Sequence, residues 1–363
     1  MPRILHTADI HLGKSFARFG ESVSARLDTE LRRVLPAIAE VARREAVDAV
    51  VIAGDLFNGN DVGRATRDHA FGALREFAPL PVVVIPGTHD RYDGGSIYRR
   101  ADWSSLGHVH VFTDPQPSTI VIPPGIAFHA RVNTSNRSRT SPLLDVRPTA
   151  DTPFNVAVAH GSYQDAMEVA ADDYPITGAE IRATGMQYVA LGHWHKWFAV
   201  SGTPVPALYS GSPQPIDLGG HGSLAIVDLE SGRVDQHAVA SLALAEVPFA
   251  VVPGLSPAEA ADDILRLPEA GADLLQVSLQ GATDDPGFVT LLSQRLGDAR
   301  GDALATLLDD AGLAVRGAPL KPPPGTVAAE FVRLLNERAG EHDAALLDEA
   351  KAEGLWRLLR GDR

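Results

Sequence analysis

Ala49-Val50-Val51-Ile52-Ala53-Gly54-Asp55 is the stretch on which the fold turns. An unbroken apolar run of this length suits a strand buried on both faces, as in a parallel sheet covered by helices. The run ends on glycine and aspartate, so polarity begins where the strand stops. Upstream, residues 24–46 have helical spacing: Leu27, Leu31, Val34, Leu35, Ile38 and Val41 share a face, with arginines on the other. Before that, Ile4 to Thr7 is a short extended run ending at Asp9. Downstream, a helix is expected from about Arg64 to Phe77, and Val82-Val83-Val84-Ile85 then stops at Pro86-Gly87. Val156-Ala157-Val158-Ala159 precedes His160, and Tyr188-Val189-Ala190-Leu191 precedes Gly192-His193. Strands alternating with helices predict an α/β fold.

Five polar islands follow these strands: Asp9-Ile10-His11, Gly54-Asp55, Gly87-Thr88-His89-Asp90, His160-Gly161 and Gly192-His193-Trp194-His195. Open α/β sheets gather their sites at the carboxyl ends of the strands, so periodicity alone assigns all five to one rim. Gly54, Gly87, Gly161 and Gly192 are expected to permit the sharp turns of that rim. Residues 205–242 are expected to add strands that close a second sheet.

Carboxylate and imidazole together suit Mn, Fe or Zn, and two such ions side by side hydrolyse phosphate esters. Asp9 and His11, two apart in a loop, can face one ion. Asp55 is the natural bridge, because a carboxylate offers one oxygen to each cation. His160, His193 and His195 supply imidazoles, which bind best when the other ring nitrogen is held. His89 follows Thr88 and is free to protonate the leaving oxygen, with Asp90 as the group that orients it. Lys14, Arg18, Arg91, Arg99 and Arg100 lie near these islands in sequence and are the candidates for contacts to a nucleic-acid backbone, should the phosphate belong to one. Arg131-Val132-Asn133-Thr134-Ser135-Asn136-Arg137-Ser138-Arg139 is a polar loop, open between phosphate binding and plain connection.

These islands resemble the calcineurin-like metallophosphoesterase superfamily, whose pattern is DxH, GDx, GNHD, a lone H and GHxH. Ile4 to Gly13, Ala53-Gly54-Asp55-Leu56-Phe57 and Tyr209-Ser210-Gly211-Ser212-Pro213-Gln214-Pro215 are similar to its SbcD-type DNA-repair exonuclease branch. The resemblance covers about residues 3–240. It implies a four-layer α/β sandwich, two divalent metal ions with Mn²⁺ preferred, and nuclease action at DNA ends. It also implies an SMC-like ATPase partner of the SbcC type, bound through C-terminal helices. By the same resemblance Asp9, His11, Asp55 and His195 hold one metal, while Asp55, His160 and His193 hold the other. Two departures stand out. Thr88 occupies the ligand position of the asparagine in GNHD, and Gly219-Gly220-His221 falls where the branch has a glutamate near the glycine.

The rest of the chain sets limits. It has 363 residues, 45% hydrophobic and 6% aromatic, with no cysteine, which excludes disulfides and thiol catalysis. The net charge of −14 is uneven: residues 1–150 carry 18 Lys+Arg against 16 Asp+Glu, and residues 151–363 carry 14 against 30. The first part therefore favours a polyanion and the acidic remainder faces solvent or a protein. No leader and no apolar run of membrane length are read, so no membrane role and a cytoplasmic location are expected. The expected layout is a phosphoesterase domain over 1–242, a small α/β domain over 243–316, a Pro-rich linker over 317–326 and a helical tail over 327–363. The tail carries Phe331, Leu334, Leu335, Leu346, Leu347, Leu355, Trp356, Leu358 and Leu359 on apolar stripes. A homodimer stays open. So do two other functions: hydrolysis of small phosphodiesters or phosphoproteins, and a DNA-end scaffold weakened by Thr88.

Overall fold

The computed structural model describes residues 2–123, 125–148, 151–220, 222–301, 303–315, 322, 325–338, 347, 350, 351 and 354. The chain divides into two units, Met1–Leu244 and Ala245–Arg363. The strands of the first unit are β1 (Arg3–Thr7), β2 (Ala49–Ile52), β3 (Val82–Val84), β4 (Val109–Val111), β5 (Ser118–Ile122) and β6 (Ile126–Ala130). They continue as β7 (Phe154–His160), β8 (Tyr188–Gly192), β9 (Phe198–Ala199), β10 (Ala207–Tyr209), β11 (Ser223–Asp228) and β12 (Val234–Ala238). Helices α1 (Glu21–Arg44), α2 (Arg64–Arg75), α3 (Ile97–Arg100) and α4 (Gly178–Thr184) lie between them.

Two six-stranded sheets result, in the orders β12-β11-β1-β2-β3-β4 and β5-β6-β7-β8-β10-β9. The period of two along each strand divides its residues between two layers. Ile4, Val51 and Val83 of the first sheet share one buried cluster with Val156, Tyr188 and Leu208 of the second. That cluster is the layer between the sheets. Their strand neighbours point the other way: Ala157, Val189 and Ala207 pack with Ile181 of α4 and Met186 just after it. Leu5, Val50, Ile52, Val82 and Val84 are fully buried on the outer face of the first sheet, on the side where α1 and α2 bury their apolar stripes. The arrangement is helix, sheet, sheet, helix. Each fully buried Val, Leu or Ile contributes about 1.5–3 kcal/mol, so this layering is the main support of everything at its edge.

Strands β1, β2, β3 and β4 run parallel, as do β6, β7, β8 and β10. All five polar islands therefore leave strands at carboxyl ends. One expectation is corrected. Of the strands within 205–242 only β10 joins the second sheet, whereas β11 pairs antiparallel with β1 and carries β12 into the first sheet. Alternating apolar residues say that a strand has a buried face but not which open edge it will take.

The second unit centres on a three-stranded sheet of β13 (Leu244–Val251), β14 (Leu274–Thr283) and β15 (Ala305–Val315), with α5 (Pro257–Leu265) and α6 (Phe288–Ala299). Ser256 and Glu259 close a capping box at the start of α5, satisfying two backbone donors that a helix start leaves unpaired. Beyond it α7 spans Val327–Glu337. Most of the expected linker, and Leu346, Leu355, Trp356, Leu358 and Leu359 of the tail, lie outside the described residues.

Candidate metal centre

The rim begins with backbone. Asp9 N–H donates to Gly54 O at 3.0 Å, His11 N–H to Asp55 O at 2.9 Å and Leu12 N–H to Leu56 O at 3.0 Å, lacing the β1 and β2 loops together. Asp9, His11, Asp55 and His193 all have left-handed backbone, with φ of 55°, 53°, 52° and 109°. Each such residue costs about 1–3 kcal/mol, and strain gathered at one polar edge points to function. Among the rim glycines only Gly54 is left-handed. Gly87, Gly161 and Gly192 serve close approach instead of a turn. A Cβ on Gly87 would lie 2.1 Å from Asp55 Oδ1, one on Gly161 2.2 Å from Tyr174 O, and one on Gly192 1.9 Å from Ala53 O.

Side chains converge on Asp55. Its Oδ2 lies 3.5 Å from His11 Nε2, 3.3 Å from His160 Nε2 and 3.5 Å from Thr88 Oγ1, while His89 N–H donates to Oδ1 at 2.9 Å. Three overlapping groups place ligand atoms within 4.8 Å of one another: Asp9 with His11 and His195, His11 with Asp55 and His89, and Asp9 with Asp55 and His160. His193 joins none of them.

Ring hydrogen bonds decide which nitrogen each histidine presents. His160 Nδ1–H donates to Ala53 O at 2.9 Å and His11 Nδ1–H to Asn58 Oδ1 at 3.3 Å. His195 Nδ1–H donates to Asp217 Oδ2 at 2.5 Å, and Lys14 Nζ sits 3.4 Å from the same carboxylate. His193 is reversed: its Nε2–H faces Asp173 at 3.1 Å, which leaves Nδ1 for the centre. The Nε2 atoms of His11 and His160 are buried with no hydrogen-bond partner. Two buried imidazole nitrogens without a hydrogen-bond partner, both within 3.5 Å of one carboxylate oxygen in a set of N and O donors, fit a divalent cation.

The charges agree. Burial works against ionisation of Asp55, yet His160 and then His11 hold its carboxyl well below the usual range. Burial also opposes charge on His160, but Asp55 and then Asp9 lift it to about 9, a position that a cation would take over by displacing the ring's proton. Asp9 is raised, first by burial. Hydrogen bonds from the histidines hold Asp173 down at about 2 and Asp217 below the ordinary range.

Asp90 does not orient His89. Its carboxylate is buried, accepting from Gly87 N–H at 2.8 Å, Phe57 N–H at 3.0 Å and Tyr98 OH at 2.6 Å, so it ties the β2 and β3 loops together. Burial, then Asp55, raises its pKa to about 6. His89 Nδ1–H donates instead to Asn58 O at 3.2 Å. The basic candidates scatter. Arg91 pairs with Asp93 at 2.9 Å beside the cleft, Arg18 lies over Phe19, Arg99 over Tyr92, and Arg100 donates to Asn60 O. A cleft of about 550 Å³ opens here, lined by Asn58, Asn60, Thr88, His89, Asn136 and His193 among others.

Sequence reasoning missed Asp173, Asp217 and Asn58. Asp217 lies two residues before Gly219, so an acid does follow the Ser-Pro phrase, on the near side of the glycine. His221 is outside the described residues. Asp173 stands in an irregular segment with no periodicity to mark it.

A family model described as calcineurin-like phosphoesterase matches residues 2–197, more than half of the chain. The chain belongs to that family. That family uses divalent metals, which the three overlapping groups at the rim could hold. Within the calcineurin-like phosphoesterases, the chain is 28% identical over 228 residues to the uncharacterized metallophosphoesterase YhaO of Bacillus subtilis, covering 58% of this chain and 52% of that protein. It is 29% identical over 268 residues to the SbcD subunit of the nuclease SbcCD from the same species, covering 64% of this chain and 67% of that one. The match thus spans about half the length of the first relative. Purple acid phosphatase PPD1 of yellow lupin aligns at 15% identity over 64% of this chain and 52% of its own, with a TM-score of 0.37. Among the described residues no helix is long and apolar enough to cross a membrane.

Proposed function

We propose that this phosphoesterase hydrolyses DNA phosphodiester bonds with two Mn²⁺ ions, as the nuclease subunit of a complex with an SMC-like ATPase of the SbcC type. The observation that carries the metal reading is Asp55 Oδ2 facing the unpartnered Nε2 atoms of His11 and His160. The similarity to a relative named as a nuclease subunit supports the DNA reading. In this proposal Asp55 would serve both ions, Asp9, His11 and His195 would hold one with it, and Thr88, His160 and His193 the other. Bound there, the ions would supply positive charge against the phosphate and would lower the pKa of a water. Asp217 and Asp173 hold the rings of His195 and His193 in their tautomers. His89, steadied by Asn58 O, protonates the leaving oxygen, a contribution of roughly 10²–10⁴-fold. The ATPase docks on the C-terminal segment, where α7 exposes Val327 and Leu334.

The test is hydrolysis of end-labelled DNA beside bis(p-nitrophenyl) phosphate, both with Mn²⁺. Cleavage of both is expected. Turnover of the small ester with DNA untouched across salt concentrations would return the chain to small phosphodiesters. Inertness to both, with one metal or none bound per chain, would make it a scaffold.

A further inference from the structure

We propose a second phosphate pocket beside the metal centre, built by Arg131 with the hydroxyls of Ser138, Thr140 and Ser141, which holds a substrate phosphate adjacent to the scissile one. The inference rests on the phosphodiesterase reading above and narrows its substrate to molecules carrying at least two neighbouring phosphates.

A cavity of about 180 Å³ lies at the end of β6, where Arg131, Asn133, Ser138, Thr140 and Ser141 line it together with Gln116. Since a water molecule claims about 30 Å³ in the liquid, the space takes a group of several heavy atoms. No carboxylate lines it. Ser138 Oγ accepts from Thr140 N–H at 3.0 Å and Ser141 Oγ from Leu143 N–H at 3.2 Å. Both hydroxyls therefore have their acceptor side engaged and their proton left to give.

Arg131 differs from the arginines around it. Arg91 and Arg137 have ion pairs, Arg99 an aromatic face and Arg100 a carbonyl. Among the described residues Arg131 has no ion pair, hydrogen bond or aromatic partner, although it is half-buried. A guanidinium's planar fork suits phosphate oxygens, and an arginine partly withdrawn from water without an acid is best matched by an anion from outside.

The pocket shares a wall with the metal centre. Asn133 Nδ2 donates to His160 O at 2.9 Å, and Asn133 O accepts from Tyr92 N–H at 2.8 Å. Asn133 Oδ1 is buried without a partner, an acceptor suited to a sugar hydroxyl or base amino group beside the phosphate. Neighbouring phosphates occur both in a polynucleotide and in a dinucleoside pyrophosphate.

The experiment compares wild type, Arg131→Gln and Arg131→Lys, with Mn²⁺, on bis(p-nitrophenyl) phosphate, the tetranucleotide dT4 and a dinucleoside pyrophosphate. For Arg131→Gln the ratio of KM on dT4 to KM on the nitrophenyl diester should rise about tenfold, as loss of a charged hydrogen bond implies, with partial rescue by Lys. A rise confined to the pyrophosphate also sustains the pocket and assigns it to a small molecule. Unmoved ratios, or one common rise on all three substrates, overturn it. If wild type cleaves nothing, the catalytic reading fails separately, and binding of dye-labelled single-stranded DNA in EDTA decides about the pocket. Removing one phosphate contact should make the slope of log K against log salt shallower by about 0.7, and an unchanged slope overturns the proposal.

Discussion

Asp9, His11 and Asp55, delivered by the first sheet, sit in left-handed backbone at φ 55°, 53° and 52°. His160, delivered by the second, ends a regular strand and is aimed by a ring hydrogen bond to Ala53 O. His195 is likewise held through its ring, by Asp217, and His193 combines both devices, with strained backbone and a ring bond to Asp173. One sheet positions its donors mainly by conformation and the other mainly by partners. Strained backbone is tolerable only because the interlaced loops and the inter-sheet core leave it no alternative. Ring bonds add a choice of tautomer, which conformation cannot make.

This difference can be broken from either side. Asp55 is where both sheets meet, so Asp55→Asn should lower kcat/KM on the nitrophenyl diester by about 10³-fold or more, with bound Mn²⁺ falling below two per chain. A full pair of ions and a mild loss would mean the sheets do not share a carboxylate. On the first sheet's side, Gly87→Ala forces a Cβ to 2.1 Å from Asp55 Oδ1. A displacement near 1 Å costs about 10²-fold in rate, to be read with circular dichroism showing that the fold persists. Activity like wild type would show that the loop relaxes freely. On the second sheet's side, Asp217→Asn frees the ring of His195 and should weaken Mn²⁺ binding about tenfold by calorimetry, a smaller effect because the ring can still turn into place. Thr88→Asn sharpens the comparison at its weakest donor: the second Mn²⁺ should bind more tightly, by roughly tenfold or less, and equal affinity would clear Thr88 of limiting that position.

An effect on stability instead of rate lies under the rim. His6 joins the sheets through Tyr188 OH at 2.8 Å, and burial lowers its pKa from 6.5 to about 3. Unfolding releases it to take a proton. Stability from keeping it neutral is therefore whole above pH 6.5 and declines as the pH falls from there towards 3. In urea titrations between pH 6 and 5 the wild type should lose up to about 1.4 kcal/mol per pH unit more than His6→Gln. Equal slopes would show that His6 protonates without resistance.

Much of the rim could be read in advance because its signals are local. Asp55 after Ala49–Ala53, or His160 after Val156–Ala159, needs only a buried strand and the place where it stops. Asp90 looked like a partner for His89 because they are adjacent, but adjacent side chains in a loop diverge, and the carboxylate turned to Gly87, Phe57 and Tyr98. Asp173 and Asp217 were illegible for the opposite reason: each meets a histidine some twenty residues away, a distance no period spans. The return of β11 to β1 was equally hidden, since both sheets offer the same apolar face to an incoming strand.

Chain order and side-chain type by themselves determined the alternation of strands and helices, and with it the edge at which acids and imidazoles would collect. Only the tertiary structure decided which nitrogen each histidine presents, which glycines make room and which make turns, and which arginine is left without a partner. Those outcomes depend on contacts between residues far apart in the chain, whose energies appear only after the two sheets have closed on each other.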